Sequence, residues 1–94
     1  MMDGTKLTAQ QIERIVKGCA NYKRIQILDL VEKQPEISLY DISETLQIGL
    51  KTTSEHVRRL AVAGLVLKRS DGRWVRHTLT NRGVSILAFL KTLE

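Results

Sequence analysis

Cysteine occurs once in this 94-residue chain, at Cys19. That excludes an internal disulfide framework and points to a reducing compartment. No apolar run approaches the length of a membrane-spanning helix, and the opening MMDGTKL lacks the basic-then-apolar layout of a secretory signal. A cytoplasmic protein with no membrane partner is expected. Internal repeats, low-complexity tracts and linkers are missing too, so a single domain over residues 1–94 is expected. Catalysis finds no foothold. The sequence offers no nucleophile with a neighbouring base, no carboxylate pair in apolar surroundings and no glycine-rich phosphate loop, so no enzyme activity is expected. Cys19 and two scattered histidines cannot build a tetrahedral site. No metal, other cofactor or small-molecule effector is identifiable.

What is present is a globular apolar fraction of 43% and a segregated charge. Residues 51–82 hold eight basic side chains (Lys51, Arg58, Arg59, Lys68, Arg69, Arg73, Arg76 and Arg82) and two acids, Glu55 and Asp71, a net +6. The rest of the chain holds seven bases and eight acids, a net −1. Solubility does not require such segregation, whereas a polyanionic partner does.

Local signals divide the chain into elements. Thr8 with Gln11 fits a capping box, and Ile12, Ile15, Val16 and Cys19 follow at helical spacing. Asn21 is a good N-cap for a second helix over residues 22–34, with Ile25, Leu28 and Val31 as its inner stripe and Pro35 as its stop. Glu36-Ile37 leaves a stub of strand. Ser38 with Asp41 opens a short third helix carrying Leu39, Ile42 and Leu46. After the turn Gln47-Ile48-Gly49, a fourth helix runs over residues 50–63 and Gly64 stops it as a left-handed cap. Two short helices joined by such a turn make a helix-turn-helix. Residues 65–69 read as a strand, Asp71-Gly72 as the central pair of a two-residue hairpin turn, and residues 74–79 as the return strand. Thr80 caps a last helix. The predicted fold is mainly α with a small β-hairpin, in the order α-α-β-α-α-β-β-α, which is the layout of a winged helix-turn-helix.

From about Ala20 onward the chain resembles the ArsR/MarR-type winged-helix regulators. In those families the turn and recognition helix read like leucine-glycine-leucine-serine-x-x-threonine-valine-serine-x-histidine-leucine, then a basic pair, then alanine-glycine-leucine-valine. Here Leu46, Ile48, Thr52, Ser54, His56, Val57, Arg58, Arg59, Leu60 and Ala63-Gly64-Leu65-Val66 match without a gap. HTLTNRG, at the start of the last helix, resembles the leucine-threonine-x-basic-glycine of the MarR group. The resemblance implies a homodimeric transcriptional regulator that binds double-stranded DNA. ArsR-type metal sensors often carry cysteines at the start of the helix before the turn; Leu39, Tyr40 and Asp41 stand there instead. Two rivals stay in view: a winged-helix protein-interaction module and a non-specific architectural DNA-binding protein.

A helical wheel divides the fourth helix. Leu50, Thr53, Val57, Leu60 and Ala61 form an inner arc; Lys51, Thr52, Glu55, Arg58, Arg59 and Val62 form the outer one. A recognition helix reaches base edges in the major groove with its N-terminal residues, which puts Lys51 and Thr52 at the bases. Arg58 can reach a base or a phosphate, Arg59 the backbone, and Ser54 a phosphate or its own helix. Glu55 has two readings: an intrahelical pair with Arg58 and Arg59, or acceptance of a hydrogen bond from cytosine N4. His56 reads as a helix-packing residue. In the wing, Lys68, Arg69, Arg73 and Arg76 bracket the turn and are assigned to the DNA backbone or the minor groove, Arg73 and Arg69 foremost, with Arg69 facing Trp74 and stacked on it, and Leu67 facing Arg76. Val66, Val75, His77 and Leu79 share the inner face. The last helix carries too many apolar residues for one stripe. Val84 and Leu87 are assigned to the core. Ile86, Phe89, Leu90 and Leu93 are assigned to a dimer interface, joined by Ile12, Ile15 and Val16 of the first helix.

Overall fold

A computed structural model describes residues 6–94; the first five residues, which begin the segment inspected for a signal, lie outside the described residues. Five helices and three strands follow in the order α1 (Ala9–Cys19), α2 (Tyr22–Lys33), β1 (Ile37–Ser38), α3 (Leu39–Leu46), α4 (Leu50–Val62), β2 (Val66–Asp71), β3 (Trp74–Leu79) and α5 (Asn81–Lys91). Side-chain caps start four of the helices. Thr8 and Gln11 form the reciprocal capping box of α1, with bonds of 3.1 and 2.8 Å. Asn21 Oδ1 accepts from the Lys23 and Arg24 amides, Ser38 Oγ from Asp41, and Thr80 Oγ1 from Gly83.

The sheet is antiparallel with strand order β1-β3-β2. The hairpin register differs from the sequence expectation. Asp71 pairs with Trp74, and Arg69 with Arg76, so Gly72 and Arg73 are the central turn residues. Gly72 takes φ +63° and Arg73 stays at negative φ, the pattern of a II′ turn. Glycine supplies that positive φ without steric cost, whereas the predicted turn would have forced it on Asp71. The shift moves each partner by two residues, so side chains keep their faces. Val66 and His77 are buried, and Val75 and Leu79 half-buried, on the inner face as expected. Leu67 faces Thr78, not Arg76.

The core gathers Ile27, Leu28, Leu30 and Val31 of α2 with Ile42, Val57, Leu60, Leu65 and Leu87. Because α2 packs against every other helix and β3, its buried face is broader than one stripe. Ile27 and Leu30 are buried, and the predicted Ile25 is only half-buried. Helix α5 is seated through Gly83. A Cβ at that position would stand 2.1 Å from the Leu65 carbonyl oxygen, so backbone rests on backbone there. This contact sets the rotation of α5: Gly83 and Leu87 point inward, Ile86 and Leu90 are half-buried, and Val84 turns to the surface, contrary to its expected core role. Among the described residues, no helix is long and apolar enough to cross a membrane.

Candidate nucleic-acid interface

The α3–turn–α4 unit is held by its own polar groups. Gln47 adopts φ +55°, and the Ile48 amide returns to the Ser43 carbonyl at 3.1 Å. Buried Ser43 donates its hydroxyl to the Ile48 carbonyl at 2.5 Å, and Thr53 donates to the Gly49 carbonyl at 2.9 Å. Thr53, Val57 and Leu60 then bury one face of α4. Leu50 departs from the inner arc. It stands at the first residue of α4, half of its surface open, and lines a hollow with Leu39 and Ser54. Ala61 is half-buried. Gly49 caps α4 without a side-chain bond, which leaves the leading amides of the helix open to an anion.

Lys51, Thr52, Ser54, Glu55, Arg58 and Arg59 are all exposed on the outer surface of α4. Glu55 engages both arginines. Arg58 donates to Glu55 through Nε at 3.0 Å and Nη2 at 2.7 Å, and Arg59 Nε donates at 3.0 Å. These bonds, Arg58's first and Arg59's second, lower the Glu55 carboxyl to about 2.

The wing carries a similar arrangement. Arg69 pairs with Glu36, which precedes β1 at φ +72°, and Arg76 pairs with Asp71 at 3.2 Å. Arg69 and Arg76 oppose each other across the hairpin, and each acid offsets one member of that like-charged pair. Arg69 therefore does not stack on Trp74, which lies opposite Asp71. Lys68 and Arg73 are exposed and make no ion pair among the described residues.

Both histidines are engaged by hydrogen bonds within the fold. His77 is buried beneath the wing, its Nδ1 2.9 Å from the Ile37 carbonyl oxygen, and burial lowers its pKa. His56 is half-buried and accepts a bond at Nδ1 from Arg24 Nε at 3.1 Å; burial, then the Arg24 charge, lowers its pKa. Arg24 escaped the sequence reading. Its partner lies 32 positions away, and no local signal marks such a contact. Cys19 is buried with its thiol bonded to the Val16 carbonyl at 3.4 Å, and burial raises its pKa. Among the described residues, no cluster of three or more His, Cys, Asp or Glu could hold a metal ion.

The residues assigned to a dimer face divide into two groups. Ile12, Val16, Phe89 and Leu93 are 49%, 49%, 60% and 70% exposed. Ile15 and Ile86 pack in part against the core, and Leu90 is half-buried. Val84, 47% exposed, belongs with the open group.

Residues 21–68 match the family model of the bacterial regulatory proteins of the arsR family. An uncharacterized protein of Methanocaldococcus jannaschii is 35% identical over 65 residues, 68% of this chain. The chain spans only 24% of that relative's length. The HTH-type transcriptional regulator YgaV of Escherichia coli is 25% identical over 87 residues, covering 92% of this chain and 88% of its own. Among solved structures, the homodimeric winged helix-turn-helix DNA-binding domain of a possible ArsR-family regulator from Mycobacterium bovis superposes with a TM-score of 0.82 at 28% identity. The superposition covers 98% of this chain and 89% of that one. With its helix-turn-helix, its hairpin wing and the matched segment from Asn21 to Lys68, the chain belongs to the ArsR family of bacterial regulatory proteins.

Proposed function

We propose that the chain is a homodimeric, sequence-specific, double-stranded DNA-binding transcriptional regulator acting in the cytoplasm. The observation that carries this reading is α4 itself. One face is locked into the core by Thr53, Val57 and Leu60, and the opposite face presents only polar and charged groups at its N-terminal half. A helix of this kind fits the major groove, with Lys51 and Thr52 at base edges and Ser54, Arg58 and Arg59 at or near phosphates. Lys68 and Arg73 of the wing lie on the backbone or in the minor groove; Arg69 and Arg76 join them by exchanging a carboxylate for a phosphate. Glu55 orders the two arginines of the recognition helix.

The exposed apolar side chains of α1 and α5 supply the dimer seam, Ile12 and Val16 against Phe89 and Leu93, with Ile15, Ile86 and Leu90 at its base. Two copies related by a two-fold axis would present two recognition helices to two half-sites. The relative from Mycobacterium bovis is a homodimeric DNA-binding domain, which supports this arrangement.

Titration of a labelled duplex at several salt concentrations tests it. Each phosphate neutralised adds about 0.9 to the negative log–log slope, so a steep fall in affinity with salt is expected. A flat response would instead favour a protein-interaction module.

A further inference from the structure

Four basic side chains meet at the junction of α1, α2 and α4. Arg14, Lys17, Arg24 and Arg59 line a cleft of about 260 Å³, and no carboxylate lines it. The helices cross closely at its floor: a Cβ on Gly18 would lie 2.5 Å from the Cβ of Ala63. That approach lets residues of three helices share one opening.

The central cation is held without being neutralised. Arg24 donates Nε to His56 Nδ1 and Nη1 to the Gly18 carbonyl, both at 3.1 Å. Both acceptors are uncharged while His56 is neutral, and burial favours that state. Arg14 makes no ion pair among the described residues, Lys17 has only Glu13 at 3.4 Å, and Arg59 shares Glu55 with Arg58. The junction is therefore net positive. The C-terminal carbonyls of α1 account for Lys17 and Arg24, since cations favour that end of a helix. They do not account for Arg14 in the middle of α1 or for Arg59 on α4.

The position of the cleft relative to the wing bears on its ligand. One flank of α4 faces the wing, where Ser54 and Val57 line a small cavity with Lys68 and His77. Arg59 and Val62 line the cleft on the other flank. A helix lying in the major groove has a phosphate strand on each side. The wing is placed for one strand and the cleft for the other.

We propose that the cleft of Arg14, Lys17, Arg24 and Arg59 binds a phosphate group, and that this group is a DNA backbone phosphate on the side of α4 opposite the wing. This inference rests on the DNA-binding reading above. Arginine suits the role, because its planar fork matches phosphate oxygens in a bidentate manner.

The test uses exposed residues, so that folding is retained. Arg14→Gln and Lys17→Gln, singly and together, are titrated against specific and random duplexes over a salt series. Lys33→Gln, at the far end of α2, removes one charge as a control. The double variant should lower the salt slope by about one to two units and weaken both duplexes by the same factor. The control should keep the wild-type slope. A double variant that behaves like Lys33→Gln overturns the proposal while leaving the DNA reading intact. Failure of the wild type to bind any duplex removes the DNA reading itself. In a second arm, inorganic phosphate is titrated while the Gly18 and Arg24 amide resonances are followed. Saturable shifts combined with an unchanged slope in the double variant would assign the cleft to a free anion, and overturn the backbone assignment.

Discussion

Glu55 grips Arg58 with both of its carboxylate oxygens, Oε1 to Nε at 3.0 Å and Oε2 to Nη2 at 2.7 Å. Since Arg58 and Arg59 lower the carboxyl to about 2, the acid is ionised throughout the neutral range. It orders the guanidinium groups, and it also sets a negative charge beside the phosphates of a bound duplex. Glu55→Gln should therefore raise affinity for specific and random duplexes by the same factor, read by titrating the two side by side. A loss confined to one base pair of each half-site would mean that Glu55 accepts from cytosine N4 instead.

The apolar seam on α1 and α5 is tested by Phe89→Glu. In a dimer that seam is dry, and a lone carboxylate there would be buried without a partner. Light scattering at micromolar concentration should give a dimer mass for the wild type and a monomer mass for the variant. Phe89 is 60% exposed in the single chain, so the variant should stay folded. A wild-type monomer, or a variant that remains dimeric, contradicts the assigned seam.

The helix boundaries and the helix-turn-helix were legible because they rest on local chemistry. Thr8, Asn21, Ser38 and Thr80 each cap the helix that they announce in the sequence. The outer arc of α4 was legible because one periodic stripe fixed which side faces in. What was not legible depends on contacts distant in sequence. The hairpin register turned on which residue takes positive φ, and Gly72 fits either of two turns until the strands are paired. Val84 was misplaced in the core because the rotation of α5 is set by Gly83 resting on Leu65, 18 residues away. The ion pairs of Arg69 with Glu36 and the bond of Arg24 to His56 join separate elements and leave no local trace. Charge counting over residues 51–82 consequently missed the basic junction around Arg24.

His77 predicts the pH dependence of stability. Burial lowers its pKa below the ordinary 6.5, so the folded chain resists a proton that the unfolded chain accepts. The unfolded state then binds more protons as the pH falls, and stability falls with it. His56, lowered for the same reason, acts in the same direction. The melting temperature should hold above pH 7 and decline as the pH falls below about 6.5. An unchanged melting temperature below that pH would contradict the buried, neutral state of His77.

Gly83→Ala places a methyl group 2.1 Å from the Leu65 carbonyl oxygen, and that backbone cannot yield without shifting the start of α5. Overpacking of this kind costs about 1–3 kcal/mol, an expected drop of roughly 4–8 °C in melting temperature for each kcal/mol in a domain of this size. The helical gain from alanine should not rescue it, since it is about 1 kcal/mol or less. A melting temperature at or above that of the wild type would show that α5 is not seated on Leu65.

Selection of bound duplexes from a random pool at near-physiological salt decides whether α4 reads sequence in a dimeric setting. An inverted repeat should be enriched, its half-sites centred about one helical turn, or a multiple of it, apart. Thr52→Ala should change the preferred base at one position of each half-site. Retained binding without any enriched sequence would refute sequence reading by α4 and assign the chain to non-specific DNA coating.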